Sequence, residues 1–191
     1  MIIGLVGKKN VGKDLVASFF ESNDFIKLTF ASTLKEAVKI LFNWSDKQVN
    51  DDKEIIDPNW NITPREILQL LGTEFLRFKL DDKLSKEIEF KGNKKDFSFH
   101  IKDLFLRNIK LFNEDKNIVI SDVRFIEEYN FIKWLGGKTV KINRNVKKNE
   151  FSYHISETQL DQINDFDFTI ENNFSIGHLN KIVNILVENH C

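Results

Sequence analysis

Met1-Ile-Ile-Gly-Leu-Val-Gly-Lys-Lys-Asn-Val-Gly-Lys-Asp14 is the stretch on which the reading of this chain turns. An apolar run from Ile2 to Val6 stops at Gly7. Gly12 and Lys13 follow, and then Leu15, Val16, Phe19 and Phe20 recur at helical spacing. Strand, glycine loop and helix in that order make a phosphate-binding P-loop. Gly7 and Gly12 let the backbone turn tightly, so that successive N–H groups face one anion. The helix N-terminus adds partial positive charge, and Lys13 brings a mobile point charge to the outer phosphates. Asp14 departs from the pattern, standing where Ser or Thr usually ligates magnesium.

Composition bounds what such a loop can serve. With 191 residues, 41% hydrophobic and 30% charged, the chain suits one soluble globular domain with room for insertions. A formal net charge of −1 supplies no field for a nucleic-acid backbone, so no nucleic-acid partner is expected. The single cysteine, Cys191, excludes a disulfide framework or thiolate metal site within the chain. The chain opens in an apolar strand pattern without a charged leader, and no apolar run approaches a membrane span. A cytoplasmic location is therefore expected, in the host cytoplasm if the source is viral, with no membrane partner.

Further along, Phe25 to Ala31 alternates as a strand, and Leu34, Ala37, Val38, Leu41 and Phe42 share a helical face that Thr33 and Glu36 would cap as a box. Residues 44–61 lose periodicity. Thr63, Pro64 and Glu66 form a second capping box, with Ile62 and Ile67 as a hydrophobic staple, and the helix they start reaches a stop at Gly72. Residues 79–98 are charged and weakly patterned around a turn at Gly92-Asn93. A helix from Ile101 to Phe112 follows. Next come a buried strand, Asn117 to Ser121, a helix from Phe125, and an alternating strand, Lys138 to Asn143. A polar loop, a last strand from Phe166 and a C-terminal helix complete the pattern. Strands alternating with helices predict an α/β fold with a mainly parallel, roughly five-stranded sheet covered on both faces.

Three further segments carry chemistry. Asp122 ends a buried strand, where a Walker-B carboxylate holds magnesium or its water, and Arg124 can reach a phosphate bidentately; the plain alternative is a helix cap beside a solvated arginine. Arg65 and Gln69 lie one turn apart on one helix face, with Thr73, Glu74 and Arg77 beyond; an ordinary polar face is equally consistent with them. Arg144, Lys147, Lys148, His154, Ser156 and Glu157 lie in a basic loop where phosphoryl-transfer enzymes place a lid.

The combination GxxxxGKD, FAxxLKE from Phe30, PRExLQxLGTExxR from Pro64, SDVRF from Ser121 and HxSE from His154 resembles the deoxynucleoside monophosphate kinases of bacteriophages and large DNA viruses. The resemblance implies an adenylate-kinase-like, three-layer P-loop fold and transfer of the ATP γ-phosphate to a deoxynucleoside monophosphate with Mg²⁺, for dNTP supply. It implies a core of about 1–43, 116–144 and 164–191, a monophosphate-binding region at 44–115 and a lid at 145–160. ATP would be held by Gly7, Lys9, Asn10, Gly12, Lys13, Asp14, Leu15 and Arg144. Arg65, Gln69, Thr73, Glu74, Arg124 and Glu157 would hold the monophosphate. Lys13, Arg124 and Asp122 would be catalytic, with Asp14 and Asp122 at the metal, through water or directly. Relatives often carry threonine where this chain has Leu15. A kinase of another small acceptor, of the dephospho-coenzyme A or phosphomevalonate type, and a nucleotide-binding switch module stay as alternatives, and whether the chain forms a homodimer stays open.

Overall fold

The computed structural model describes residues 1–145 and 159–190. Lys147, Lys148, His154, Ser156 and Glu157 lie outside the described residues. The chain divides into two compact units, residues 1–29 with 107–191, and residues 30–106.

The first unit is built on a five-stranded sheet. Its strands are β1 (Ile2–Val6), β2 (Ile26–Leu28), β5 (Ile118–Val123), β6 (Lys138–Asn143) and β7 (Phe168–Glu171), ordered β2-β5-β1-β6-β7. All the pairings are parallel. Such a sheet must be covered on both faces, and the near-continuous apolar runs of β1 and β5 suit that burial. On one face, Ile3, Leu5, Val119, Val140 and Ile142 pack with Val16 and Phe20 of α1 (Lys13–Glu21) and with Leu179 and Val183 of α7 (Ile176–His190). On the other, Ile132 of α6 (Ile126–Trp134) lies so near Gly4 that a Cβ there would sit 2.9 Å from its Cγ1. The helix and sheet backbones approach closely at this glycine. Between Gly4↔Ile120 and Val6↔Val123 the register slips, a bulge at the end of β5 that carries Asp122.

The second unit holds α2 (Ser32–Phe42), α3 (Asp46–Asn50), α4 (Pro64–Gln69), a π-helix (Leu70–Leu80), a 3₁₀ turn (Asp81–Lys83) and the hairpin β3 (Glu87–Phe90) with β4 (Asn93–Asp96). It also contains the first part of α5 (Phe99–Asn113), which departs from helical geometry at Asn108. Leu34, Val38, Trp44, Val49 and Ile67 form its buried cluster, with Ile62 against it.

The capping box at Thr63 is present: the Glu66 N–H donates to the Thr63 hydroxyl, and Glu66 Oε2 accepts the Thr63 N–H at 2.9 Å. The expected box at Thr33 and Glu36 is not. The cap position is Ala31, and the Thr33 hydroxyl donates to Asp103 Oδ2 at 2.5 Å. The helix stop expected at Gly72 is also corrected, because the chain runs on as a π-helix to Leu80. Gly72 serves a close contact, since a Cβ there would lie 2.6 Å from Leu34 Cδ2. Residues 44–61 contain α3, capped by Ser45 and Gln48. Within 79–98, Phe90 pairs with Asn93, so the hairpin turn is Lys91-Gly92, with φ of 47° and 80° as a type I′ turn requires.

Asp167 ties the sheet edge to α6. Its Oδ2 accepts the Thr139 N–H at 2.8 Å and the Thr139 hydroxyl at 3.0 Å, and Lys133 Nζ lies 2.9 Å away. Burial pushes this carboxyl up, but the Thr139 N–H, the Lys133 ammonium and the Thr139 hydroxyl together outweigh it and hold it down at about 2. A carboxylate depressed on folding stabilises fully above its unfolded pKa and loses that contribution as pH falls through the folded value. Stability should therefore drop by roughly 2 kcal/mol between about pH 4 and pH 2 on this account. Urea titrations should show a shallower acid slope in Asp167→Asn than in the unmodified chain; parallel slopes would contradict the assignment.

Candidate nucleotide-binding site

The loop between β1 and α1 is held from both ends. A Cβ on Gly7 would lie 2.7 Å from the carbonyl oxygen of Ile142 in β6, a backbone atom that cannot swing aside. Gly12 has φ +97°, and a Cβ there would lie 2.5 Å from Asn172 Nδ2. That amide donates to the Val11 carbonyl at 2.8 Å, and the Asn172 N–H donates to the Asn143 carbonyl at 2.7 Å. Val11 is buried in the core below. Asn10 takes φ 62° at the exposed tip. The loop's curvature is thus set by two glycines, one buried valine and one asparagine from the end of β7.

Lys13 is 9% exposed, and its ammonium donates to the carbonyls of Gly7 and Lys8, the latter at 2.7 Å. A buried cation is thereby satisfied by the loop it serves. Lys9 is half-buried. Asp14, whose side chain is 89% exposed, pairs with Lys27 Nζ at 3.1 Å. Leu15 is partly buried against the sheet core, so this position is used for packing.

Asp122 and Arg124 are both half-buried, at and just beyond the end of β5. Val123 pairs with Val6, the residue before Gly7, so Asp122 and the phosphate loop share one sheet end. Ligands of open α/β sheets collect there. The cap of the following helix is Phe125, not Asp122. Arg144 is exposed beyond β6.

In the second unit, α4 positions Arg65 in its first turn, where the guanidinium already engages the Glu54 carboxylate. An arginine fork that grips a carboxylate grips a phosphate by the same geometry. Gln69 ends α4, and Thr73, Glu74 and Arg77 follow on the π-helix, a form that favours functional positions. Thr73 is buried and Glu74 exposed. Arg77 Nη1 donates to Ser98 Oγ at 3.4 Å, and His100 Nε2 contacts the Gly72 carbonyl at 2.9 Å.

Sequence reasoning missed Asn172, Glu54, Ser98, His100, Glu128 and Gln159. Glu128 accepts the N–H groups of Arg124 and Phe125 at the start of α6. Its spacing is that of a capping box, but the cap residue is phenylalanine, so the Ser/Thr half of the signature is missing.

No protein-family model matches the chain. Among solved structures, the Thermus thermophilus protein TT1252 aligns with TM-score 0.53 at 14% identity, covering 100% of this chain and 98% of that one. A dephospho-CoA kinase from Campylobacter jejuni aligns with TM-score 0.51 at 15% identity, covering 98% and 96%. At such identities the likeness concerns the fold alone, and that fold is the three-layer α/β P-loop kinase fold.

A curated relative narrows the class. It is the "Putative deoxynucleotide monophosphate kinase" of Acanthamoeba polyphaga mimivirus, 37% identical over 194 residues, 99% of this chain and 97% of that protein. The chain belongs to this deoxynucleotide monophosphate kinase family. Among the described residues no helix is long and apolar enough to cross a membrane.

Because Gly12 combines left-handed backbone with contact to Asn172, a Cβ at this position adds roughly 1–2 kcal/mol of backbone strain to the clash. Gly12→Ala should therefore bind a nucleoside triphosphate at least about tenfold more weakly in calorimetry. Unchanged affinity would show that the loop does not hold the phosphates.

Proposed function

We propose that this kinase transfers the γ-phosphate of ATP to a deoxynucleoside monophosphate, giving ADP and the deoxynucleoside diphosphate, in the service of dNTP supply. The full-length likeness to the mimivirus relative is the observation that carries this reading. An oxygen of the acceptor's 5′-phosphate attacks the γ-phosphorus, the bond from that phosphorus to the β,γ-bridging oxygen breaks, and the electron pair leaves with ADP. Little covalent work falls to the protein, whose task is to align two anions, screen their repulsion and exclude water.

In this proposal the loop from Gly7 to Leu15 binds the triphosphate through its amides. Lys13 exchanges the Gly7 and Lys8 carbonyls for phosphate oxygens. Arg65 exchanges Glu54 for the acceptor phosphate, with Gln69, Thr73 and Glu74 around the nucleoside. Arg124, beyond the end of β5, neutralises charge on the transferring group. Asp14 and Asp122 are hard oxygen donors of the kind Mg²⁺ takes. Mg²⁺ in kinases is commonly held by one or two carboxylates together with substrate phosphates. When bound, Mg²⁺ would neutralise phosphate charge and orient the phosphate chain.

Steady-state kinetics in both substrates test the assignment. Lys13→Ala should lower kcat by about two orders of magnitude or more, as removal of one strong transition-state donor does. Arg65→Ala should raise KM for the deoxynucleoside monophosphate by about tenfold or more, with KM for ATP little changed, because a charge-assisted phosphate contact is lost. Near-normal turnover in the first variant would sink the reading. An effect of the second confined to ATP would move Arg65 to the donor site.

A further inference from the structure

Arg124 leaves β5 on a backbone pinned amide by amide. Its N–H donates to Glu128 Oε2 at 2.7 Å, and the Phe125 N–H donates to the same oxygen at 3.1 Å. The next N–H, that of Ile126, donates at 3.0 Å to Gln159 Oε1, from a residue 33 positions away in the chain. Three consecutive donors at the start of α6 are thus occupied by two side-chain oxygens. Left open, such a run at a helix N-terminus would itself attract a phosphate. Here those amides are closed by Glu128 and Gln159, which fix the backbone that carries the Arg124 side chain.

The two side chains suit this task. Glu128 is 2% exposed, and a buried carboxylate is tolerated where amide donors and the positive end of a helix face it. Gln159 opens a 3₁₀ turn, Gln159–Gln162, and Asp161 of the same turn pairs at 2.9 Å with Lys8 inside the phosphate loop. One short turn therefore reaches the backbone two residues past Arg124 and the loop proposed to hold ATP. The Lys8–Asp161 pair is about half exposed on both sides, so it adds little stability.

We propose that Glu128 and Gln159 are positioning residues for phosphoryl transfer. They hold the Arg124 segment at a fixed place relative to the phosphate loop, so that the guanidinium is in place before charge develops on the transferring phosphate. This rests on the role given to Arg124 above. A donor that stabilises a transition state works to the extent that it needs no reorganisation, and a displacement of an ångström costs far more in turnover than in ground-state binding. An ordinary helix cap would instead stabilise α6 and leave turnover alone.

The test is a double-mutant cycle on the full chain, with ATP, Mg²⁺ and whichever deoxynucleoside monophosphate the unmodified chain turns over fastest. Gln159→Leu, which removes the acceptor oxygen, should lower kcat about tenfold while KM for ATP stays within about twofold. Gln159→Glu, which restores an acceptor, should return kcat to within about threefold of the unmodified value. Glu128→Leu, which likewise removes the acceptor oxygen, should lower kcat in the same direction with KM for ATP unchanged, which keeps the proposal testable if Gln159→Leu does not fold. Arg124→Ala should lower kcat by about two orders of magnitude or more, and adding Gln159→Leu to it should lower kcat no further. Losses that multiply in the double variant, or a Gln159→Leu protein with a lower Tm and unchanged kcat, would reduce Gln159 to a structural cap. Normal turnover in Arg124→Ala would overturn both this proposal and the role of Arg124, an outcome distinct from failure of Gln159 alone.

Discussion

The backbone contact at Gly7 is the constraint on which the site depends. A side chain there would meet the Ile142 carbonyl, so the loop can leave β1 only if this position is glycine. The parallel register that sets β1 between β5 and β6 brings that carbonyl so close. The same register puts the end of β5, and with it Asp122 and Arg124, beside the loop. Asn172 completes the arrangement from β7 by holding the Val11 carbonyl against the turn at Gly12. Core packing and phosphate binding are therefore one problem here. The apolar pattern of the strands fixes the sheet, and the sheet fixes where a chain reversal can present amides to an anion.

Two cations with proposed roles are matched by oxygens close to them in the chain. Lys13 is satisfied by loop carbonyls and Arg65 by Glu54. This local compensation keeps both cations paired in a chain whose formal net charge is −1. Binding would then exchange one set of oxygen acceptors for another, which favours phosphates over weaker ligands without leaving buried charge unpaired in their absence.

Much of the fold was legible because β1 and β5 are short apolar runs that end at a glycine or a carboxylate, and β6 alternates. The helix start at Thr63 was legible because its capping residues are local in sequence. Asn172 and Gln159 were not, because each acts on a backbone group far away in the chain and no spacing marks it. Glu128 was missed because its cap lacks a hydroxyl. The hairpin strand Asn93–Asp96 is exposed at every position, so it carries no alternation to detect. Gly72 misled because a glycine near the end of a helical pattern reads as a stop, whereas here it admits Leu34. Thr33 misled for a related reason: a hydroxyl ahead of a helix reads as a cap, yet this one is engaged by Asp103. In both cases a tertiary contact overrode a local signal.

The central claim is that the γ-phosphate of ATP passes to the phosphate of a deoxynucleoside monophosphate. It is tested most directly by offering γ-labelled ATP and Mg²⁺ with each deoxy- and ribonucleoside monophosphate, and with dephospho-coenzyme A and phosphomevalonate in parallel. The account predicts label in one or more deoxynucleoside diphosphates. Label in another acceptor's product, or nucleotide binding with no acceptor-dependent transfer, would contradict it.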